Sequence, residues 1–364
     1  MDIRRDKEVL KLSLLDMYMQ EHPPTCMVLY RLPRQHRIEF LLSNKQPQTF
    51  TSIPDKVRGG GFFVAPFSPS EDDPCLFIKP EGAMTIPTFF PPKDIEVDSG
   101  EDIEEPVDAA YAKAFARMKQ ALAVGEVEKI VLARNKVVGN NAEIHPVLYF
   151  MHVCSMYPDC YVAYFNTPQS GAWLTITPEV LLQKKEDEWE TMALAGTMPI
   201  GESVPHVEDF DKKNRREQRL VADYIVQALQ PLANEIRVED IMVKAAGAIA
   251  HLCSPIRFTS SAQPLRLLQA LHPTPAVCGL PLDAAREVIR QSESTSRRYY
   301  AGFSGPLNYK DETAFYVTLR CAQLHQGQTA TLYAGSGLLS ESSLEDEWLE
   351  TCRKMQTIDK ALYK

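Results

Sequence analysis

From Lys129 to the C-terminus the chain reads as short apolar strands joined by tight turns, with few long helices between them. Tyr161–Phe165 and Trp173–Gln183 flank Pro168-Gln169-Ser170-Gly171, a turn sequence that predicts a β-hairpin. Trp189–Leu194, Met242–His251, Ile256–Thr259, Tyr300–Gly305, Ala314–Leu324 and Thr329–Tyr333 read as further strands. Amphipathic helices are predicted over Pro106–Val124, closed by Gly125, and over Asp209–Leu229, with short ones at Leu265–Leu271 and Leu282–Gln291. Strands in antiparallel hairpins, outnumbering long helices, predict an α+β fold of layered antiparallel sheets flanked by helices, not a doubly wound one. The first 85 residues read as a helix near Arg5–Gln20 and short strands such as Cys26–Leu32 and Arg37–Leu42. Pro87–Pro106, rich in proline and acid, reads as a connector. One large domain is expected over 1–364, with a variable part over 1–90 and a core over 105–364.

The last strand and helix carry the densest charge pattern. Ala334-Gly335-Ser336-Gly337 interrupts an apolar run and reads as a turn, and Ser342 or Ser343 caps a helix bearing Glu345, Glu347, Glu350 and Lys354. At about 100° per residue, Glu347, Glu350 and Lys354 share one ~60° sector, and Trp348, Met355 and Leu362 form the packing stripe. Two carboxylates and an ammonium beside free backbone N–H groups can hold a divalent cation and an anion together. The same spacing also describes an ordinary i,i+4 surface pair.

Composition narrows the partners. A net charge of −9 argues against nucleic acid and anionic membranes, and no apolar run reaches transmembrane length. The eight scattered cysteines, with no C-x-x-C, read as reduced buried thiols of a cytoplasmic protein. Zinc spacings, a nucleophile elbow and a dinucleotide fingerprint are all missing; His251 and Cys253 alone are too few ligands.

Four residues interrupt their local patterns. Lys129 opens a strand with two apolar faces, so it is either solvated at the strand mouth or desolvated in a site. Glu179, between Pro178 and Val180-Leu181-Leu182, is either a turn or edge charge or a site carboxylate. Glu217 falls at i−3, i−4 and i−7 from Leu220, Val221 and Tyr224 on the packing side of its helix, with Asn214 one turn earlier. There it must be paired or bind a metal. His272 sits in a loop stiffened by Pro273 and Pro275, either presented to a ligand or structurally satisfied. Arg215, Arg216 and Arg219 read as a solvated face.

Taken in order, nine short motifs resemble the chorismate-utilising enzymes. They are Lys-Ile-Val-Leu-Ala-Arg (129–134), Thr-Pro-Glu-Val-Leu (177–181), Leu-Ala-Gly-Thr (194–197), Arg-Glu-Gln (216–218) and Leu-His-Pro-Thr-Pro-Ala-Val-Cys-Gly (271–279). Tyr-Ala-Gly-Phe-Ser-Gly (300–305), Val-Thr-Leu-Arg (317–320), Ala-Gly-Ser-Gly (334–337) and Glu-x-Glu-x-x-Glu-Thr-x-x-Lys (345–354) complete the set. The resemblance covers about two-thirds of the chain, and the 271–279 loop with the lysine of the first motif is most similar to isochorismate synthases.

That resemblance implies roles. Isochorismate synthases move the hydroxyl of chorismate from ring C4 to C2, which calls for a base and an acid on opposite sides. Lys129 would be the base toward water and Glu179 the acid toward the departing hydroxyl. Glu217 and Glu350 would hold Mg²⁺, with Glu347 direct or through water, and the ion would hold the ring carboxylate. Arg320, Tyr300 and the Gly335, Ser336 and Gly337 backbone would clamp the enolpyruvyl carboxylate. Gly196, Thr197, His272 and Lys354 would wall the ring, with His272 among the catalytic candidates. Two positions depart from the pattern: Asn214, where relatives usually carry an acid, and Met198-Pro199, where isochorismate synthases often place arginines. A salicylate synthase would share nearly every motif and add pyruvate elimination, against which the Pro-Thr-Pro-Ala loop argues. An anthranilate synthase would need an amidotransferase partner, and Lys129 would obstruct ammonia at C2. A silent chorismate-binding protein would have no need of Lys129, Glu179, Glu217 and Glu350 together. A monomer without an amidotransferase subunit is expected; the pathway served, menaquinone, siderophore or another, is not legible.

Overall fold

Val28 and Tyr30 point one way from their strand and Met27 and Leu29 the other, yet all four are buried. A strand buried on both faces lies between two layers. The computed structural model describes residues 23–87, 105–139, 146–201, 203–246, 249–326 and 329–363, so the helix expected at Arg5–Gln20 and most of the connector lie outside the described residues. Nine strands form one sheet, in the order Gly279–Leu280, Lys129–Gly139, Thr329–Leu338, Cys321–His325, Gly171–Thr177, Tyr161–Thr167, Cys26–Arg31, Arg37–Ser43, Gly82–Pro87. Ten form the other: Glu235–Val238, Ile249–Thr259, Glu188–Pro199, Val180–Lys185, Ala314–Val317, Phe303–Leu307, Gly61–Ala65, Cys75–Ile78, Gln48–Phe50, with Met242–Ala246 beside Ile249–Thr259. The described ladders are antiparallel, as an α+β layered fold requires.

The sheets meet through aromatic side chains. Tyr161 stacks on Tyr316 at 4.2 Å, Tyr30 lies 5.5 Å from Phe62, and Trp173 is fully buried against Phe165, Tyr299 and Tyr333. Removing such a ring costs about 3–5 kcal/mol in lost transfer energy and cavity. The outer face of the nine-stranded sheet (Leu29, Phe40, Val162, Leu174) is covered by the helices Pro146–Met156 and Leu344–Tyr363 through Phe150, Met151, Met355, Ile358 and Leu362. Helix Lys212–Leu229 lies on strand Glu188–Pro199 through Val221, Ile225 and Leu229, each four residues beyond the last and beginning from Glu217. This stripe is rotated from the expected one: Leu220, Tyr224 and Ala228 are only half-buried.

Two expected strands are each divided between the sheets. Trp173–Gln183 splits at Pro178-Glu179 into Gly171–Thr177 in the first sheet and Val180–Lys185 in the second. Ala314–Leu324 splits at Thr318-Leu319-Arg320 in the same way. The two segments pair with each other in both sheets, so they cross as a ribbon. At the crossing, Val317 N donates to Glu179 O at 3.1 Å and Ile176 N to Arg320 O at 3.2 Å, which satisfies backbone groups that leave the ladders. Apolar, strand-compatible residues stand on both sides of each crossing, so hydrophobicity alone does not separate the segments. Other expectations also shift. Met242–His251 divides between two strands, Glu235–Val238 adds one, and Tyr300 sits in the turn ahead of Phe303–Leu307.

Candidate active site

The crossing ribbon forms the floor of a cavity at the edge between the sheets. Glu179, Gly196, Thr197, Glu217, Tyr300, Arg320, Gly335, Gly337, Glu350 and Lys354 line it, together with His251, Ala276 and Val277. These residues come from both sheets and both long helices, so only the complete fold assembles them.

Gly335 and Gly337 are in a strand and not in the expected turn. Thr329–Leu338 pairs with Lys129–Gly139 throughout, while Cys321–His325 follows it only to Tyr333. Beyond Tyr333 that edge is open. Ala133 N donates to Glu293 and Val131 N to Cys278 O, both away from the ladder. Their partners Gly335 and Gly337 therefore turn their own N–H and C=O groups toward the open edge. Lys354 Nζ donates to Gly335 O at 2.9 Å and pairs with Glu350 Oε1 at 2.6 Å, so the i,i+4 pair of the C-terminal helix is anchored on this edge. The glycines serve close approach: a Cβ on Gly337 would stand 2.1 Å from Glu217 Oε1, and one on Gly335 would stand 2.8 Å from the Tyr300 hydroxyl. Ser336 faces the other way, 3.2 Å from the Tyr111 hydroxyl, and does not line the cavity.

Lys129 is not solvated. It is fully buried, donates to Pro275 O at 2.7 Å and pairs with Glu217 Oε1 at 3.1 Å. Glu217 lines the cavity and Lys129 does not. Glu179 is buried on the ribbon's crossing. Desolvation pushes its carboxyl up to about 7, against the opposing pull of Arg320, Lys129, Lys244 and Lys354. Lys244 Nζ donates to Pro178 O at 2.7 Å and steadies the same bend.

Gly196 bulges its strand, with φ +74° and a register shift between Ala195 and Thr197. Asn214 Oδ1 accepts from Thr197 N at 3.0 Å, so this departure from the family pattern has a job: it holds the bulge to the helix. His251 Nε2 lies 2.8 Å from an Arg320 guanidinium nitrogen and its Nδ1 3.0 Å from Thr197 Oγ1. A guanidinium only donates, so Nε2 accepts, and the proton sits on Nδ1 toward Thr197. Burial and the adjacent Arg320 push the imidazole well below its ordinary range, which keeps it neutral.

His272 stands apart from the cavity. It is buried edge-on to Phe303, and Nε2 donates to Pro66 O at 3.1 Å. Burial lowers its pKa to about 4. Its imidazole ties the 271–279 loop to Pro66 while Ala276 and Val277 of that loop reach the cavity, so the expectation of a catalytic His272 is corrected to a strut. Glu347 is also behind the wall, 1% exposed, with Oε1 held by Lys213 at 2.6 Å and Oε2 making no hydrogen bond of ordinary length. Burial and the neighbouring Glu350 raise its carboxyl.

Among the described residues no three His, Cys, Asp or Glu side chains close into a ready-made metal cluster. The donor set still fits a hard divalent ion. Glu217 and Glu350 face one cavity from separate helices, and Glu347 offers a buried oxygen, free of any ordinary hydrogen bond, one turn from Glu350.

A family model described as "Chorismate binding enzyme" matches residues 90–363. The chain belongs to that family. It is 34% identical over 265 residues to the salicylate biosynthesis isochorismate synthase of Pseudomonas aeruginosa, covering 70% of this chain and 54% of the relative. It is 30% identical over 282 residues to the isochorismate synthase MenF of Escherichia coli, covering 75% and 65%. The chain thus spans about half to two-thirds of the length of these relatives. The solved structure of MenF, the menaquinone-specific isochorismate synthase from Escherichia coli, superposes with a TM-score of 0.74 over 93% of this chain and 89% of that one. At 23% identity that likeness shows the fold alone.

In this member of the family, three residues at or beside the cavity are not singled out by the sequence. His251 lacks zinc spacing, and nothing in their local sequence pattern singles out Lys244 or Lys213. A polar residue in the apolar run Ile249–Cys253 was the one available signal for His251. Among the described residues no helix is long and apolar enough to cross a membrane. All eight cysteines are buried free thiols, as their scatter suggested.

Proposed function

We propose that the chain is an isochorismate synthase, an isomerase that adds water at C2 of chorismate as the C4 hydroxyl leaves. One observation carries this reading: Glu179, a buried carboxyl whose pKa desolvation lifts to about 7 in a cavity that Arg320 and Lys354 line together with Glu217 and Glu350. A carboxylic acid that stays protonated around pH 7 can deliver a proton to a poor leaving group. Lys129 is the proposed base. Glu217 lines the cavity beside it, so that role requires the ammonium to pass a proton to Glu217 and act on water as the free amine. Arg320 and the Gly335 and Gly337 edge are the proposed clamp for the side-chain carboxylate, with Tyr300 beside Gly335. Thr197 and Lys354 complete the wall.

Glu217 and Glu350, with Glu347 behind them, would hold Mg²⁺. When bound, the ion supplies positive charge for the ring carboxylate, which otherwise meets two acidic side chains.

Incubation of the purified chain with chorismate and Mg²⁺, followed by chromatography, tests the assignment. Isochorismate in equilibrium with chorismate is the expected sole product. Stoichiometric pyruvate would move the assignment to salicylate synthase, and recovery of unchanged chorismate would leave a binding protein. The isochorismate synthases the chain resembles are named for different contexts, salicylate and menaquinone among them.

A further inference from the structure

Helix Lys212–Leu229 and helix Leu344–Tyr363 bring charged residues toward each other at two levels. In the first, Glu217 and Glu350 line the cavity. In the second, Lys213 and Glu347 form an ion pair of 2.6 Å. Lys213 precedes Glu217 by four residues and Glu347 precedes Glu350 by three, so each second-tier residue stands one helical turn from its first-tier neighbour. Each of the three acids thus carries one lysine: Lys129 on Glu217, Lys354 on Glu350, Lys213 on Glu347. The first two lysines belong to the cavity chemistry argued above. Lys213 does not line the cavity, and its side chain is 24% exposed while that of Glu347 is 1% exposed.

Glu347 is the least exposed of these carboxylates, and its Oε2 makes no hydrogen bond of ordinary length, with the Ser342 hydroxyl near the carboxylate. A buried carboxylate that stays ionised needs a counter-charge. Lys213 supplies one through Oε1 alone and leaves the second oxygen available. A lysine on a flexible stem with an exposed flank can withdraw to solvent when a stronger cation arrives.

We propose that Lys213 is a resident cation that competes with the divalent metal for Glu347. It holds the two acid-bearing helices together when no metal is bound and weakens the metal's hold when one is. The inference rests on the assignment of Glu217, Glu347 and Glu350 as the metal side of the cavity. An ammonium this close to a ligand carboxylate repels an incoming divalent ion by enough, at an interior effective dielectric, to change affinity by about tenfold or more.

The test is calorimetric titration of MgCl₂, without chorismate, into the full chain as wild type, Lys213→Met, Lys213→Gln, Lys213→Arg and Glu350→Gln, with melting temperatures recorded alongside. Lys213→Met and Lys213→Gln should bind Mg²⁺ about tenfold or more tightly than wild type. They should melt lower without Mg²⁺ and gain more from it. Lys213→Arg, which keeps the charge, should resemble wild type. If Lys213→Gln binds Mg²⁺ no more tightly than wild type while Glu350→Gln loses binding, the competition is refuted and the metal assignment stands. No binding by any variant, wild type included, refutes both.

Discussion

Glu179→Gln separates the chemistry of the buried acid from its cost to the fold. Glu179 sits near 7 in the folded chain against the usual 4.5, and desolvation is the first cause. Below about pH 4.5 it is protonated in both folded and unfolded chains and costs nothing. Between about 4.5 and about 7 the folded state holds the extra proton, so stability falls as pH rises through that window. Above about 7 the folded chain carries a buried carboxylate. The full penalty, about 2.5 units at 1.36 kcal/mol each, is then about 3 kcal/mol. A glutamine of the same shape cannot ionise. Glu179→Gln should therefore match wild type in stability at pH 4.5 and exceed it by about 3 kcal/mol at pH 8. For 364 residues that corresponds to about 4 °C in melting temperature. The same variant should lose about 10²–10⁴ in isochorismate formation, forward and reverse, because the proton donor is gone. In wild type, kcat/KM should decline as pH passes about 7. Calorimetric melting of both proteins between pH 4.5 and 8.5 decides the matter. A stability difference independent of pH would show that Glu179 ionises normally and would refute the reasoning.

Lys129→Ala should abolish turnover and also cost about 3–5 kcal/mol, because it strands the buried Glu217 carboxylate. Lys129→Met with Glu217→Gln should regain most of that stability in denaturant melts while staying inactive. Gly337→Ala should displace Glu217, whose Oε1 would lie 2.1 Å from the new methyl, and remove activity with the far-ultraviolet circular dichroism unchanged. Glu217→Gln and Glu350→Gln should each raise the Mg²⁺ requirement steeply or abolish activity; full wild-type turnover in excess chelator would overturn the metal's role.

The residues that were legible in the sequence are those that violate their local pattern. Glu179 before Val180-Leu181-Leu182, and Glu217 four residues before Val221, are charges where periodicity calls for apolar side chains, and both line the cavity. What stayed hidden depends on partners remote in the chain. Gly335 and Gly337 look like a turn from local glycine preference, yet they are strand residues kept small by Tyr300 and Glu217. Lys129 could be solvated or buried until Glu217, 88 residues later in the sequence, is placed beside it. The ribbon's passage between sheets is not separable from a continuous strand by hydrophobicity, because the side chains are buried before and after the crossing. His272 was over-read for the converse reason: the stiff loop does present residues to the cavity, but they are Ala276 and Val277.

That crossing also accounts for how an acid survives beside so many cations. Four positive groups pull Glu179 down, Arg320 most strongly, and desolvation still prevails. One guanidinium nitrogen of Arg320 is committed to His251 Nε2, and His251 stays neutral, so the arginine is held at a fixed distance from the carboxyl and not folded onto it. Arg320 and Glu179 lie on backbone that has left one ladder and not yet joined the next, where their carbonyls accept Ile176 N and Val317 N across the ribbon. An anionic substrate seated on Arg320 would neutralise the largest of the opposing charges and bring negative charge of its own. Both effects raise Glu179 further. Substrate binding therefore strengthens the protonation that the reaction needs, and the decline with pH seen in kcat belongs at higher pH than the one in kcat/KM.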